Sequence, residues 1–316
     1  PGLERKLPQD RRALRFNGQM MKPSKNLEQM LDLLSERGLS FSEPERTRLI
    51  RFLLDVNYYR ASGYWRYFQI APHMGDNTFH ADATVEKIVE VYEFDHQLRN
   101  ILLEGLSVVE VSFRSRFAYL FSQALDDYSY LESATFISEI ENGQVESGLA
   151  RKAEQLVDSI RQDLSQSKEP YIVRFLASGM NPPIWVAVEA LSMGTVSKMY
   201  GLIANEDVRY KVAKSFGYAK PDLIAATFKS LTVLRNICAH HGRVWNRVPA
   251  IATPVLDRLK TDADKSIYHR KPWAWIVTLA DLVDQISRNK EYSDGLYHFL
   301  ARYPHLVDGM KYPHGR

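Results

Sequence analysis

One short stretch of the chain, residues 234–247, concentrates the side chains that could do chemistry. It reads L-R-N-I-C-A-H-H-G-R-V-W-N-R and holds three arginines, two histidines, two asparagines and the single cysteine. Imidazole gives and takes protons near neutral pH, and guanidinium has the shape best suited to gripping phosphate. The combination predicts a site for chemistry on a phosphodiester. The candidate catalytic residues are Arg235, Asn236, His240 and His241, and the candidate substrate-binding residues here are Arg243, Asn246 and Arg247.

The reaction that suits these groups is cleavage of RNA by attack of the 2′-hydroxyl on the adjacent phosphate. A histidine would act as general base or acid, and an arginine would stabilise the charge that develops on the phosphate oxygens. An asparagine would hold the histidine or the phosphate. Because RNA supplies its own nucleophile, we expect neither a metal nor another cofactor. The expected products carry a 2′,3′-cyclic phosphate, or its opened form, and a 5′-hydroxyl.

Helix geometry separates two of the candidate residues. If the helix through Leu234 continues to His241, Asn236 and His240 share one face at a spacing of i,i+4. Arg235 then lies roughly 140° of helical rotation from His240, so one copy does not close on a single phosphate by itself. We therefore expect a homodimer in which each copy supplies arginine and histidine to a shared cleft, because two-fold symmetry is the commonest way to build such an assembly.

The same residues allow other interpretations. Cys238, His240 and His241 could bind a metal, but they lack the spaced ligand pairs of structural zinc sites. Cys238 could be a nucleophile, yet it lies between Ile237 and Ala239 and is better explained by packing. The stretch could also be a capped and solvated helix end. Finally, it could belong to a module that binds a structured RNA without cleaving it.

Composition limits the class of protein. The chain has 316 residues, of which 45% are apolar and 25% charged, as in a globular protein. The formal charge of +3 permits nucleic-acid binding without requiring it, because the clustering of charge matters more. One cysteine excludes an internal disulfide and predicts a reducing, cytoplasmic compartment. No apolar run approaches the length of a membrane span, so we expect no membrane partner.

A long helix is predicted as the scaffold for the stretch. Residues 84–123 contain no proline and one glycine, and their apolar side chains recur at steps of three and four residues. The pattern predicts a helix roughly 60 Å long, suited to the spine of a bundle. Glu110 and Arg114 lie side by side on it. They are either a surface ion pair of little worth or supporting residues that orient a catalytic side chain from a facing helix.

Basic and aromatic residues alternate within residues 56–68, V-N-Y-Y-R-A-S-G-Y-W-R-Y-F. Such interleaving can stack bases while arginines hold phosphates, which makes Arg60 and Tyr64 candidate substrate-binding residues. The alternative is that the aromatic rings wedge an N-terminal helical hairpin against the next domain.

The chain as a whole reads as all-α, with no convincing strand. A loop at 71–83 is the expected boundary between subdomains, and the segment at 148–166 is expected to be an exposed helix within an insertion. Further helices are predicted at 26–38, 42–54, 184–203 with a break at 192–195, 205–216, from 221–222 into the stretch at 234–247, 273–288 and from 293. The expected divisions are a tag or disordered extension at 1–21, an N-terminal helical subdomain at 22–75, a bundle at 80–250 with an insertion around 124–180, and a C-terminal helical region at 251–316 that packs on the bundle.

Four segments together resemble a known family. Arg235, Asn236 and His240 have the arginine–polar–three-or-more–histidine form of the HEPN ribonucleases. The fuller stretch at 234–247 closely resembles abortive-infection proteins of the AbiD/AbiF type. Three more segments are similar to that family in the expected order: N-Y-Y-R-A-S-G-Y-W, F-D-H-Q-L-R-N-I-L-L-E and V-E-V-S-F-R-S-R-F-A-Y. The short motif is weakly specific, but the four segments span about residues 22–300.

The resemblance implies a HEPN-type helical bundle with metal-independent ribonuclease activity at a dimeric site. It also implies a role as a bacterial anti-phage or toxin-like effector. Arg235 and His240 match the signature, and Asn236 fills its polar position. His241 fits the allowed spacing equally well, so either histidine could be the catalytic one. Some relatives act with a small RNA or an antitoxin, which would be a partner in addition to the RNA substrate.

Overall fold

The computed structural model describes residues 24–137 and 147–314, together with the backbone of residues 15–16 and 19–20. It is 70% helical, which confirms the all-α prediction. The α-helices of the described residues are α1 Leu27–Glu36, α2 Glu43–Val56, α3 Tyr58–Trp65, α4 Val85–Ser122, α5 Ser147–Gln166, α6 Pro170–Ala177, α7 Ile184–Ala190, α8 Met193–Leu202, α9 Glu206–Ser215, α10 Pro221–Ala239, α11 Pro272–Ser287, α12 Glu291–Ala301 and α13 Pro304–Lys311.

The expectation that the chain has no strands is wrong in detail, since two short antiparallel pairs form. β1 (Arg15–Phe16) pairs with β2 (Gln19–Met20), and β3 (Gln69–Ala71) pairs with β4 (Asp76–Phe79). Gly75, with a φ of 92°, makes the left-handed turn before β4. Strands of two to four residues are too short for an alternating pattern to reveal them. The rest of the predicted extension lies outside the described residues.

The N-terminal hairpin forms as predicted. The Asn26 side chain caps α1 and the Ser42–Glu45 capping box precedes α2, because these side chains satisfy the free backbone N–H groups of a first turn. Their apolar faces meet in one core with α3, β4 and the first turns of α4. Its fully buried members are Leu31, Leu34, Leu39, Leu49, Leu53, Val56, Ala61, Trp65, Phe79, Val85, Ile88 and Val89.

The chain divides into two compact units between Glu93 and Phe94, inside α4, rather than at the loop of residues 71–83. The reason is that the side chains of α4 before Phe94 belong to the core of the first unit, and those from Phe94 onward belong to the core of the second. Val85, Ile88 and Val89 belong to the first core, so a helix that reads as continuous in the sequence supplies side chains to both units.

The predicted spine is confirmed, because α4 runs unbroken from Val85 to Ser122. In the second unit it packs against α10, and the ring of Phe113 stacks on that of Phe228 with centroids 3.7 Å apart. This contact brings the two helices that carry the candidate residues together. The α4 side chains that are fully buried here are Phe94, Leu98, Leu102, Leu106, Val109, Phe113, Phe117 and Phe121.

The prediction that residues 148–166 form an exposed helix is wrong. α5 is amphipathic and packs against α8 and the turn at Ser133–Phe136. Its many charged residues obscure a buried stripe at helical spacing, namely Ala153, Leu156, Val157, Ile160 and Leu164. Residues 138–146 of the predicted insertion lie outside the described part of the chain. Helix α6, which follows, was not predicted.

The later helices agree with the sequence pattern as far as α12, whereas α13 was not predicted. The predicted break falls between α7 and α8, where Ser192 caps α8, and Asn205 caps α9. α11 packs on α10, and the indole N–H of Trp275 donates to the Ser230 hydroxyl at 2.9 Å. Among the described residues, none of the helices combines the length and the apolar character that crossing a bilayer requires.

Candidate active site

Helix α10 ends inside the candidate stretch, at Ala239, so the condition of a helix that continues through His241 is not met. His240 is the cap, and His241 adopts a left-handed conformation with a φ of 55°. The N–H of His241 donates to the Cys238 carbonyl at 3.0 Å, and that of Gly242 donates to the Ile237 carbonyl at 2.7 Å. These two bonds form a Schellman motif, which closes a helix by reversing the chain.

The reversal has a conformational cost at His241. Glycine is the usual residue at this position, and a side chain in the left-handed region costs roughly 1–2 kcal/mol. Strain of this kind concentrates at functional sites, where the surrounding structure holds it in place. The next residue is glycine for a steric reason, since a Cβ at Gly242 would lie 3.1 Å from the Ile237 carbonyl oxygen.

The end of α10 presents its polar side chains to solvent. Asn236, His240 and His241 are exposed, and 37% of the Arg235 side chain is accessible. The backbone N–H of His240 donates to the Asn236 carbonyl at 3.0 Å, so the two residues are joined across the last turn. The four candidate catalytic residues therefore occupy one exposed helix end, where they can reach an external polymer.

A carboxylate on α4 holds the candidate arginine. Glu110 is 8% exposed, and its Oε2 lies 3.3 Å from Nε of Arg235. Its Oε1 accepts a hydrogen bond from Arg114 at 2.5 Å, and the same Arg114 nitrogen donates to the Leu191 carbonyl at 2.9 Å. Of the two supporting residues named from the sequence, Glu110 contacts Arg235 directly. Arg114 contacts Glu110 and so reaches Arg235 only through it. Another nitrogen of the Arg235 guanidinium donates a longer hydrogen bond of 3.4 Å to the exposed side-chain oxygen of Asn236. The remaining N–H groups can donate to an oxyanion.

A second anchor lies beneath the following loop and was missed in the sequence. Asp95 on α4 is fully buried, and its Oδ1 accepts the backbone N–H groups of Val244 at 3.1 Å and Trp245 at 2.7 Å. Its other oxygen accepts a hydrogen bond from the buried Arg99. The available signal was an aspartate and an arginine at i,i+4 on an otherwise apolar face of α4.

The loop is also fixed to α13. The indole N–H of Trp245 donates to the Leu306 carbonyl at 2.8 Å, and the N–H of Asn246 donates to the Gly309 carbonyl at 3.1 Å. Gly309 is glycine because a Cβ there would come within 2.4 Å of the Trp245 ring. The segment that follows the two histidines is therefore held between α4 and α13.

The predicted binding residues of the loop have different environments. Asn246 is 6% exposed, and its side-chain oxygen accepts the N–H of His314 at 2.7 Å. The side-chain oxygen of Asn246 is therefore used in a hydrogen bond within the protein, and this geometry gives no support to a role of Asn246 in RNA binding. Arg243 is half-buried and Arg247 is exposed, and Arg247 donates to the Arg243 carbonyl at 3.2 Å. Both remain predicted substrate contacts.

The two candidates from the N-terminal unit also differ. Arg60 is exposed on α3, whereas Tyr64 is 1% exposed and packs edge-on against Tyr92 with ring centroids 5.2 Å apart. Burial of this ring argues against base stacking by Tyr64 and favours the packing interpretation of the aromatic segment. Arg60 remains a predicted substrate contact.

The cysteine is a core residue. Cys238 is fully buried on the inner face of α10, and burial, with the nearby charge of Asp95, raises the pKa of its thiol to about 12. A thiol in this environment is a poor nucleophile. Within the described residues, no group of three or more His, Cys, Asp or Glu side chains is placed to hold a metal ion.

Comparison with known proteins identifies a family. A family model described as Abi-like protein matches residues 51–246, which is more than half of the chain. The match ends at Asn246 and so includes the whole helix end described above and both of its supports on α4. No curated protein and no solved structure matches the chain.

Proposed function

Because the chain belongs to the Abi-like protein family, we propose that it is an abortive-infection effector that cleaves RNA. The proposed activity is that of a metal-independent endoribonuclease of the HEPN type. The observation that carries the proposal is the exposed end of α10, where Arg235, Asn236, His240 and His241 meet solvent together.

The proposed mechanism assigns one task to each group. Arg235, held on one side by Glu110, offers its remaining N–H groups to the phosphate oxygens as negative charge develops on them. His240 or His241 removes the proton from the 2′-hydroxyl, or returns one to the departing 5′-oxygen. The 2′-oxygen attacks phosphorus while the bond to the 5′-oxygen breaks, which leaves a 2′,3′-cyclic phosphate and a 5′-hydroxyl.

Two chains would complete the site. Arg235 points to Glu110 on α4, while His240 and His241 lie where the chain turns back. We propose that the arginine of one copy and a histidine of the other act on the same phosphate across a two-fold axis. Each copy would then supply half of each site.

Substitution of the candidate residues tests the activity. We expect Arg235→Ala and His240→Ala to abolish cleavage of total RNA and to abolish toxicity in cells, while circular dichroism shows a folded protein. His241→Ala identifies which imidazole acts. Lys229→Ala, which removes an exposed cation of α10 outside the stretch, is the matched control and should retain activity. Addition of EDTA should leave cleavage unchanged.

The same experiment separates the proposal from its alternative, a module that binds RNA without cleaving it. Salt-sensitive RNA binding by wild type, with no cleavage products from any RNA tested, including RNA from phage-infected cells, would replace the nuclease proposal with the binding module.

Mixing two inactive variants tests the shared site. In an equal mixture of Arg235→Ala and His240→Ala chains, a mixed dimer has one intact arginine and one intact histidine on opposite copies. Random exchange then restores roughly a quarter of the wild-type activity. No recovery after verified exchange of subunits would show that each chain acts alone.

A further inference from the structure

A second exposed surface lies on α7, close to the candidate site. Of the five tryptophans, Trp65, Trp245, Trp273 and Trp275 are at most 8% exposed, but Trp185 is 57% exposed. Tryptophan is enriched at binding interfaces, because its large ring gains from burial while its N–H can still find a polar partner. Glu189, also exposed, follows Trp185 by four residues and so lies beside it on the same helix face.

A polar groove begins at Glu189. Its volume is about 400 Å³, within the range of small-molecule sites. Cations and carboxylates are interspersed along it, so it offers hydrogen-bond donors and acceptors together. The charged residues that line it are Arg114, Asp163, Lys168, Glu169 and Glu189.

A second aromatic ring lies near the groove. Tyr171 on α6 is 39% exposed. Desolvation and the charges of Glu169 and Glu189 raise the pKa of its phenol, while Arg114 lowers it. These three charged groups therefore each lie within electrostatic reach of the Tyr171 phenol.

The groove and the candidate catalytic residues share one side chain. Arg114 lines the groove and also holds Glu110, which contacts Arg235. A ligand that occupies the groove is therefore two side chains from the guanidinium proposed to bind the scissile phosphate.

We propose that Trp185, Tyr171 and the groove at Glu189 bind an unpaired guanine base of the RNA, as the specificity subsite of the nuclease. Exposed aromatic rings stack on the bases of single strands. Guanine presents N–H donors on its Watson–Crick edge, which a carboxylate such as Glu189 accepts, and the acceptors O6 and N7, which Arg114 or Lys168 can meet. Adenine offers no adjacent pair of donors on that edge. The inference rests on the proposed RNA substrate.

Fluorescence provides a test that does not need cleavage. Trp185 is the accessible tryptophan, so a base that stacks on it should quench the emission of the full-length protein. The probes are short 2′-O-methylated oligonucleotides, which cannot be cleaved, with a single guanine or a single adenine in a uridine strand. We expect quenching and at least tenfold tighter binding with guanine.

Three variants make the test specific. Trp185→Ala should lose the quenching and weaken binding, measured for this variant by anisotropy of a labelled oligonucleotide. Glu189→Gln should reduce the preference for guanine to about threefold or less while the strand still binds. Tyr210→Ala, which removes a ring that is 50% exposed on α9, is the matched control and should bind as wild type. All three positions are exposed, so unfolding temperatures should stay near that of wild type.

The outcomes distinguish this inference from the proposed function. Equal binding of the guanine and adenine probes, or unchanged binding by Trp185→Ala, overturns the subsite, even if the protein cleaves RNA elsewhere. Guanine-dependent quenching by a protein that never cleaves RNA supports a guanine-binding site on this surface and refutes the nuclease.

Discussion

The two halves of residues 234–247 use similar residues in opposite ways. In the first half, Arg235 to His241, the polar side chains face solvent at the end of α10. In the second half, Val244, Trp245 and Asn246 are buried, and their polar groups bond to α4 and to the C-terminal segment. The bonds of the second half hold the loop in place directly after the helix end. The polar side chains of the first half, by contrast, remain accessible for chemistry.

The difference shows that residue type and spacing do not determine which polar group is functional. Asn236 and Asn246 are both asparagines beside an arginine, yet one is exposed and the other accepts a hydrogen bond within the core. The environment of Asn246 is decided by distant parts of the chain, since its side chain bonds to His314, 68 residues later, and its loop is held by Asp95, 149 residues before Val244. Four predictions, in order of decreasing effect, probe this contrast.

Asp95→Ala should have the largest effect, because it removes the support of the buried half. It leaves Arg99 as a buried charge without its carboxylate and frees two backbone N–H groups. Loss of one partner of a buried ion pair costs about 3–5 kcal/mol. We expect that decrease in the free energy of unfolding, measured by urea denaturation. A change below about 1 kcal/mol would show that the anchor contributes little.

Glu110→Gln should act on the exposed half with less effect on stability. The variant keeps the shape of the side chain but loses the charge that orients Arg235. Misplacement of a reacting group by about 1 Å can cost up to roughly a hundredfold in rate, and we expect kcat/KM for RNA cleavage to fall about tenfold to a hundredfold. Asp207→Asn, which breaks the exposed i,i+4 pair with Lys211 on α9, is the control and should leave cleavage unchanged. Equal activity of the two variants would contradict a positioning role.

The two left-handed residues, His241 and Asn246, should respond in opposite directions to glycine. At His241, glycine relieves strain on an exposed residue, so His241→Gly should raise the free energy of unfolding by about 0.5–1 kcal/mol. At Asn246, glycine relieves the same strain but removes the acceptor of a buried bond from His314. Asn246→Gly should therefore lower stability by about 1 kcal/mol. The comparison is made by thermal unfolding of both variants, and a loss of stability in His241→Gly would show that its imidazole supports the fold.

The smallest effect is expected at Cys238. Its thiol is buried and its raised pKa of about 12 keeps it protonated at pH 8, so the folded protein should not react with a disulfide reagent. Denaturation should release one reactive thiol per chain, which absorbance measures directly. Rapid labelling of Cys238 in the folded protein, with loss of cleavage, would show that the thiol is accessible and belongs to the active site.

Much of the fold was readable from local patterns. The caps at Asn26, Ser42 and Asn205 and the uninterrupted periodicity of α4 are signals carried by neighbouring residues. α5 was misread because its charged surface residues outnumber its buried stripe. The division at Glu93 was also missed, since no local break marks the point where a continuous helix changes partners.

The candidate site was predictable only in part for the same reason. Arg235, His240 and their supports on α4 were identified from composition, spacing and resemblance. The end of α10 at Ala239 depends on a glycine two residues beyond the cap, and the role of Asp95 depends on a loop 149 residues later. A long-range contact of this kind leaves no periodic trace in the sequence.

The most direct test of the account is the chemistry of the ends that the purified protein leaves on RNA. We predict fragments with 2′,3′-cyclic phosphate and 5′-hydroxyl ends, and no cleavage where the nucleotide 5′ to the scissile phosphate is 2′-deoxy. A chain that carries both His240→Ala and His241→Ala should give no fragments. Fragments with 3′-hydroxyl and 5′-phosphate ends, or undiminished cleavage after both histidine substitutions, would contradict the claim that the exposed end of α10 is the catalytic site.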